Sequence, residues 1–147
     1  MKIVVSRAEP TSGDVYFIPR MSGFGRCDDH YSVVLLPDTG DSCLVLGVIT
    51  SQVSSREATA AANGFLPKTI VKIRPSDYSE LNRLSAVDCN SVKRITKEYF
   101  AAITANARRC APLPKKVVVR LLEGIILSDN NSESLRAIAR QILETVR

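Results

Sequence analysis

The chain has 147 residues, of which 45% are apolar and 5% aromatic, with no tryptophan and a net charge of +5. This composition excludes an extensively disordered chain and predicts one domain with an aliphatic core. No apolar run approaches the ~18–20 residues that span a bilayer, and the apolar stretch after Met1 is too short for a secretory signal. We therefore expect a cytoplasmic protein with no membrane contact.

The first half of the chain is typical of short strands separated by turns. Apolar and β-branched runs predict strands at 3–5, 14–18, 31–36, 43–49, 68–73 and 84–88. This spacing is typical of a small barrel or sandwich, because no long helix separates the runs. The Ser- and Ala-rich stretch 50–64 is either a short helix or a mobile loop.

The second half is predicted to be helical. Thr96 can cap a helix that continues to Arg109, and a second helix is expected over 115–127. A turn at 128–131 leads to a last helix from Ser132, whose apolar residues follow the 3.6-residue period.

Cysteine spacing gives little support for a metal site. Cys27, Cys43, Cys89 and Cys110 are widely spaced, without the close pairs typical of zinc sites, and His30 is the only histidine. We expect reduced thiols, no metal and no cofactor.

The positive charge is concentrated in the middle of the chain. Residues 65–120 carry 12 basic and 4 acidic side chains, whereas residues 1–64 carry 5 and 7, and residues 121–147 carry 3 and 4. Such asymmetry indicates either a polyanionic partner or a solvated basic face.

Three short motifs occur in the same order as in a known family. They are Gly13-Asp14-Val15 at a strand start, Thr50-Ser51 at a strand end, and S-x-V-D-x-x-x-V-x-x-I-x-K-x-x-F over 85–100. Over residues 13–107 the chain resembles the MazF/PemK-like toxins of bacterial toxin–antitoxin systems. The resemblance implies a mainly β, α+β fold with C-terminal helices, built on an SH3-like barrel related to that of CcdB. It divides the chain into a barrel with its following helix at 1–110 and a helical extension at 111–147, packed on the same domain.

The resemblance also implies a function. Such toxins are homodimers that cleave single-stranded messenger RNA without metal and are held in check by a cognate antitoxin protein. The ribose 2′-OH attacks the adjacent phosphate, which requires a base, an acid and positive charge on the phosphate. Thr50 and Ser51 match the family's Thr or Ser at the end of the third strand.

One family position differs in this chain. The family's Arg-Pro at the start of the second strand is replaced by Tyr31-Ser32, so Arg26 and His30 are the nearest candidates for charge and proton transfer.

Further residues are candidates for RNA binding. Lys68, Lys72 and Arg74 share even spacing on a predicted strand, and Lys93 and Arg94 form a second basic cluster. The remaining candidates for phosphate contact or base stacking are Arg20, Phe24 and Tyr31.

Two other functions remain open. The chain could be a non-catalytic SH3-like module that binds nucleic acid or a protein, as gyrase-poisoning relatives of this fold do. It could also be a regulatory domain whose C-terminal helices carry the interaction.

Overall fold

An antiparallel sheet of seven strands forms the centre of the fold. The structure is a computed structural model, and it describes residues 9–18 and 30–147. The strands are β1 (Val15–Ile18), β2 (His30–Leu36), β3 (Cys43–Thr50), β4 (Ile70–Ile73), β5 (Ser85–Asp88), β6 (Lys93–Thr96) and β7 (Arg108–Arg109). They are ordered β4-β5-β3-β2-β1-β7, and β6 also pairs with β3.

Strand β3 is paired along both sides. One side pairs with β2, while the other pairs with β6 near its start and with β5 near its end. Ile49 of β3 lies opposite Val87 of β5, and Leu46 of β3 lies opposite Lys93 of β6. The two β3 residues are three positions apart, whereas their partners are six positions apart. The three extra residues make the connection at 89–92 leave the sheet as a turn.

In the described residues, four helices cover the two faces of the sheet. They are α1 (Val53–Ala62), α2 (Lys97–Thr104), α3 (Lys115–Leu127) and α4 (Glu133–Val146). The α3/α4 face carries the larger core, in which the sheet residues Val33, Val45, Ile49 and Val87 pack with apolar side chains of α3 and α4. Side chains alternate along a strand, so the neighbouring sheet positions belong to the opposite face.

That opposite face, the α1/α2 face, has two smaller cores. Val34, Leu44 and Leu46 pack beneath Phe100 of α2. Ile70 and Ala86 pack beneath Val53 and Ala60 of α1. The part of the sheet between these two cores includes the ends of β2 and β3, where several of the predicted site residues lie.

The predicted helices are largely confirmed. The Thr96 hydroxyl accepts from the Tyr99 N–H and caps α2, and α3 has the bounds expected from the sequence. Ser132 caps α4 by accepting from the Leu135 N–H. The stretch 50–64 contains α1, which confirms the helical alternative.

Two local predictions are wrong, and one strand was missed. Helix α2 ends at Thr104, and Arg108–Arg109 instead form β7 against β1. Strand β4 begins only at Ile70, because Lys68 lies in a single 3-10 turn, Pro67–Thr69. Strand β6 was not predicted.

The sheet is open rather than closed. A mainly β, α+β fold with C-terminal helices is confirmed, but within the described ranges β4 and β7 end the sheet and do not pair with each other. At the β4 end, Arg120 of α3 donates from Nη1 to the backbone carbonyl of Lys72 at 3.0 Å. The strand predicted at 3–5 lies outside the described residues.

None of the helices in the described ranges is long and apolar enough to cross a membrane.

Candidate functional site

The predicted residues His30 and Thr50 lie at the same end of neighbouring strands. Strand β2 begins at His30 and β3 ends at Thr50, and the two strands pair with Tyr31 opposite Ile49. One further step in this register sets His30 opposite Thr50, on the α1/α2 face. Directly opposed side chains have Cβ atoms about 5 Å apart, so an imidazole and a hydroxyl can act on one substrate atom there.

The hydroxyl of Thr50 is held by the start of α1. Its Oγ1 accepts from the Gln52 N–H at 3.1 Å, in the turn that leads into the helix. A threonine hydroxyl has one donor and two acceptor positions, so the proton of this group remains able to donate to a phosphate oxygen. Ser51 follows the strand and is exposed.

Ser32 is a residue of this region that the sequence did not single out for function. It lies two residues from His30 on the same face, opposite both Val48 and Tyr16. It is 1% exposed, and its Oγ has no hydrogen-bond partner in the part of the chain that the structure describes. The only sequence signal is a serine at the head of the apolar run 33–36, which is uninformative by itself.

Tyr31 belongs to the other side of the sheet. Its ring contacts Phe17, with centroids 4.9 Å apart, and its hydroxyl donates to the Glu80 carbonyl at 3.4 Å. The structure thus separates Tyr31 from His30 and Thr50, which follows from the alternation of side chains along β2.

The predicted basic residues divide into two groups. Lys72 forms an ion pair with Glu57 of α1 at 3.3 Å, and Arg94 pairs with Asp41 of the β2–β3 loop. Lys68, Arg74 and Lys93 are exposed and form no ion pair within the described ranges. Lys93 lies opposite Leu46, which puts it on the α1/α2 face with Thr50.

Lys72 also lies in line with Thr50. Both residues are opposite Ala86 of β5, so the three form one row across β4, β5 and β3. Two strand spacings separate Lys72 from Thr50, about 10 Å. The predicted strand row of Lys68, Lys72 and Arg74 is reduced to Lys72, because only that residue lies within β4.

Three predicted site residues, Arg20, Phe24 and Arg26, lie outside the described residues, as does Cys27. The three other cysteines are free thiols. Cys89 and Cys110 are buried, and burial raises the pKa of each thiol. The described part of the chain has no group of three or more His, Cys, Asp or Glu side chains placed to hold a metal ion.

No protein-family model matches this chain, and no curated protein matches it significantly.

Proposed function

We propose that the chain is a toxin-like endoribonuclease of the MazF/PemK type, which cleaves single-stranded RNA without metal by attack of a ribose 2′-OH. The observation that carries the proposal is the position of His30 at the start of β2 and of Thr50 at the end of β3, one register step beyond the pair Tyr31–Ile49. The family resemblance implies that the end of β3 carries site residues. The β2–β3 register puts the start of β2, and with it the only histidine of the sequence, beside this strand end.

The proposed roles follow from the chemistry of each group. An imidazole ring carries nitrogens that can accept or donate a proton, so His30 can accept the 2′-OH proton or donate a proton to the leaving oxygen. The Thr50 hydroxyl donates to the phosphate, with Ser51 beside it. Arg26, beyond the described residues, supplies the positive charge that the phosphate needs as charge develops. Lys93, opposite a residue four positions along β3 from Thr50, can contact a neighbouring phosphate of the same RNA.

The proposal extends to architecture and partners. It treats the open sheet as the core of an SH3-like barrel, which is supported by the division of the sheet at β3, one side of which pairs with both β5 and β6. It also includes a homodimer, a cognate antitoxin protein and action on messenger RNA in the cytoplasm.

The test is cleavage of a long single-stranded RNA in EDTA by the purified chain. Wild type should yield 2′,3′-cyclic phosphate and 5′-OH ends and should leave a 2′-deoxy substrate intact. Loss of a general acid or base slows a reaction by about 10²–10⁴-fold. The cleavage rate of His30→Gln should therefore be lower than that of wild type by a factor in this range. The double variant Thr50→Ala, Ser51→Ala should also be strongly impaired.

A matched control is available on α4. Thr145→Ala makes the same chemical change at an exposed position, where the hydroxyl donates to the Ile142 carbonyl of its own helix. It should cleave RNA like wild type. Absence of cleavage by wild type, or equal cleavage by the Thr50→Ala, Ser51→Ala variant, would refute the proposed enzyme.

A second candidate is a binding module that holds RNA without cutting it. The observation that favours it is Tyr31-Ser32 at the place of the family's Arg-Pro, since the Tyr31 ring packs against Phe17 on the other side of the sheet and supplies no cation beside Thr50. Retention of single-stranded RNA on a filter, weakening with salt and unaccompanied by cleavage, would select this function.

A further inference from the structure

A polar pocket opens beside α1, away from the row that contains Thr50. Its volume is about 270 Å³, and it lies between α1, the end of β5, the turn at 89–92 and Asn130. The lining side chains are Arg56, Thr59, Ala60, Asn63, Phe65, Asp88, Asn90, Ser91 and Asn130. Most of them are hydrogen-bonding groups, and one is aromatic.

A buried hydrogen-bond network fixes the floor of this pocket. Asp88 Oδ1 accepts from the backbone N–H of Asn90 at 2.9 Å and from its side-chain amide at 3.0 Å. Asn90 is 5% exposed, donates to Thr69 Oγ1 at 2.8 Å and accepts from the Ser128 hydroxyl at 2.6 Å. The carboxylate is therefore oriented before any ligand arrives, which lowers the entropic cost of binding.

The second oxygen of Asp88 is only loosely engaged. Its Oδ2 lies 3.4 Å from the Ser91 hydroxyl and 3.7 Å from Arg56 Nη1. Both distances exceed those of strong charge-assisted hydrogen bonds, so a ligand can compete for this oxygen and for the guanidinium. The pocket thus presents a strong acceptor next to a strong donor.

Phe65 supplies an apolar wall. Its side chain is half-buried, packed against the small core beneath α1, and it also lines the pocket. Asn63 adds an amide on the same side of α1 as Arg56, since residues seven apart lie on one helix face.

These groups limit the chemistry of the ligand. A free phosphate would meet the Asp88 carboxylate, a simple cation would meet the Arg56 guanidinium, and an apolar ligand would desolvate both groups without offering either a hydrogen bond. A flat ring with a donor beside an acceptor on one edge satisfies both charges and stacks on an aromatic side chain. Nucleobases have this edge and this face.

We propose that this pocket binds a single unstacked nucleobase. The inference rests on the proposed function in one respect, namely that the base comes from a single-stranded RNA rather than from a free nucleotide. Asp88 lies two residues beyond Ala86 on β5, about 7 Å along the strand from the position opposite Thr50. A base held here belongs to a nucleotide close to the proposed site of cleavage.

The experiment is a calorimetric titration of the full chain with the four nucleoside monophosphates and, separately, with ribose 5-phosphate. At least one nucleotide should bind saturably, and ribose 5-phosphate should bind at least about tenfold more weakly, since it lacks the base. Arg56→Gln and Phe65→Leu should each weaken nucleotide binding about tenfold. Arg83→Gln, an exposed arginine distant in sequence from the pocket residues of α1, should bind like wild type.

Two outcomes would overturn the inference. One is equal affinity for ribose 5-phosphate and the nucleotides, which would mean that Arg56 binds phosphate. The other is that wild type, Arg56→Gln and Phe65→Leu bind the nucleotides equally well, or that none of the three binds them. Thermal unfolding of each protein shows that it is folded.

A second arm identifies the source of the base. Short single-stranded RNA that binds more tightly than free nucleotides and is weakened by the same two substitutions would support an RNA base. Tighter binding of free nucleotides would support the pocket and assign it to a small ligand. None of these measurements requires cleavage of RNA. If nucleotides bind but RNA is not cleaved, the proposed enzyme is refuted and the proposed pocket is retained.

Discussion

Replacing Ser32 with alanine should make the protein more stable. The Ser32 hydroxyl is 1% exposed and has no hydrogen-bond partner in the described part of the chain. Burial of such a group costs about 1–3 kcal/mol in proteins, and deletion of one oxygen atom leaves only a small gap. Because lost contacts offset part of the gain, we expect Ser32→Ala to raise the free energy of unfolding by about 1 kcal/mol. For a domain of this size that corresponds to roughly 2–4 °C in Tm.

A matched serine in the same sheet should respond in the opposite direction. Ser85 of β5 is 4% exposed, and its hydroxyl donates to the Arg83 carbonyl at 3.2 Å. Ser85→Ala should therefore lower the free energy of unfolding by about 0.5–1.5 kcal/mol. Urea denaturation of the two variants beside wild type, with the m-value compared, measures both changes.

The RNA cleavage or binding activity of Ser32→Ala shows whether the hydroxyl has a role besides its effect on stability. The Ser32 hydroxyl is buried in the sheet, so an RNA bound on the surface does not contact it. Ser32→Ala should therefore cleave or bind RNA like wild type while unfolding at a higher temperature. If Ser32→Ala is destabilised as much as Ser85→Ala, the hydroxyl is already satisfied in the folded protein and the reasoning is refuted.

Three other substitutions or treatments test the packing around α3. A Cβ at Gly124 would lie 2.7 Å from the buried Cys89 Sγ, so Gly124→Ala should destabilise by about 1–3 kcal/mol despite its better helix propensity. Adding Cys89→Ala should recover part of this loss in urea denaturation, and purely additive losses would contradict the contact. A hydrogen bond from Lys116 lowers the pKa of Asp77, so this carboxylate stabilises the fold above its unfolded pKa, and the contribution is lost as pH falls through the lower folded value. Asp77→Asn should therefore flatten the acid side of the urea midpoint against pH, and an unchanged slope would argue against the pair. Iodoacetamide should modify Cys43 before Cys89, whose burial raises its thiol pKa; peptide mapping by mass spectrometry that finds Cys89 modified in the folded protein would contradict this.

Local patterns predicted the elements that depend on local physics. Strands β2 and β3 are apolar runs bounded by turn residues, and α3 and α4 follow from helical periodicity and a capping serine. These features concern residues that are close in sequence, so the chain alone was informative about them.

Elements that depend on distant pairing were missed. Strand β6 is polar and is ordered by pairing with β3, some 50 residues earlier, and β7 consists of two arginines aligned on β1. An arginine pair after a helix is equally compatible with the C-terminal end of that helix, where cations are favoured. Only the tertiary pairing distinguishes the two, which is why α2 was expected to continue to Arg109.

The candidate site was partly predictable for the same reason. Thr50, Ser51 and His30 were chosen from residue type and family resemblance, whereas their proximity depends on the β2–β3 register. Alternation along β2 could have separated Tyr31 from His30, whereas the burial of Ser32 depends on the strands that pair with it on both sides. The pocket beside α1 combines residues from 56 to 130, a separation that no sequence motif spans.

The two ends of the sheet affect how this protein can meet other chains. An unprotected edge strand offers free backbone groups to another strand and promotes edge-to-edge aggregation. At one end of the sheet, β7 is only two residues long and carries two positive charges. At the other end, the guanidinium of Arg120 donates a hydrogen bond to the Lys72 carbonyl of β4. Both arrangements disfavour growth of the sheet across molecules, so an incoming strand has little to gain at either end. A partner, whether a nucleic acid or a second polypeptide, is therefore more readily received on the helix-flanked faces, where His30, Thr50 and Ser32 lie.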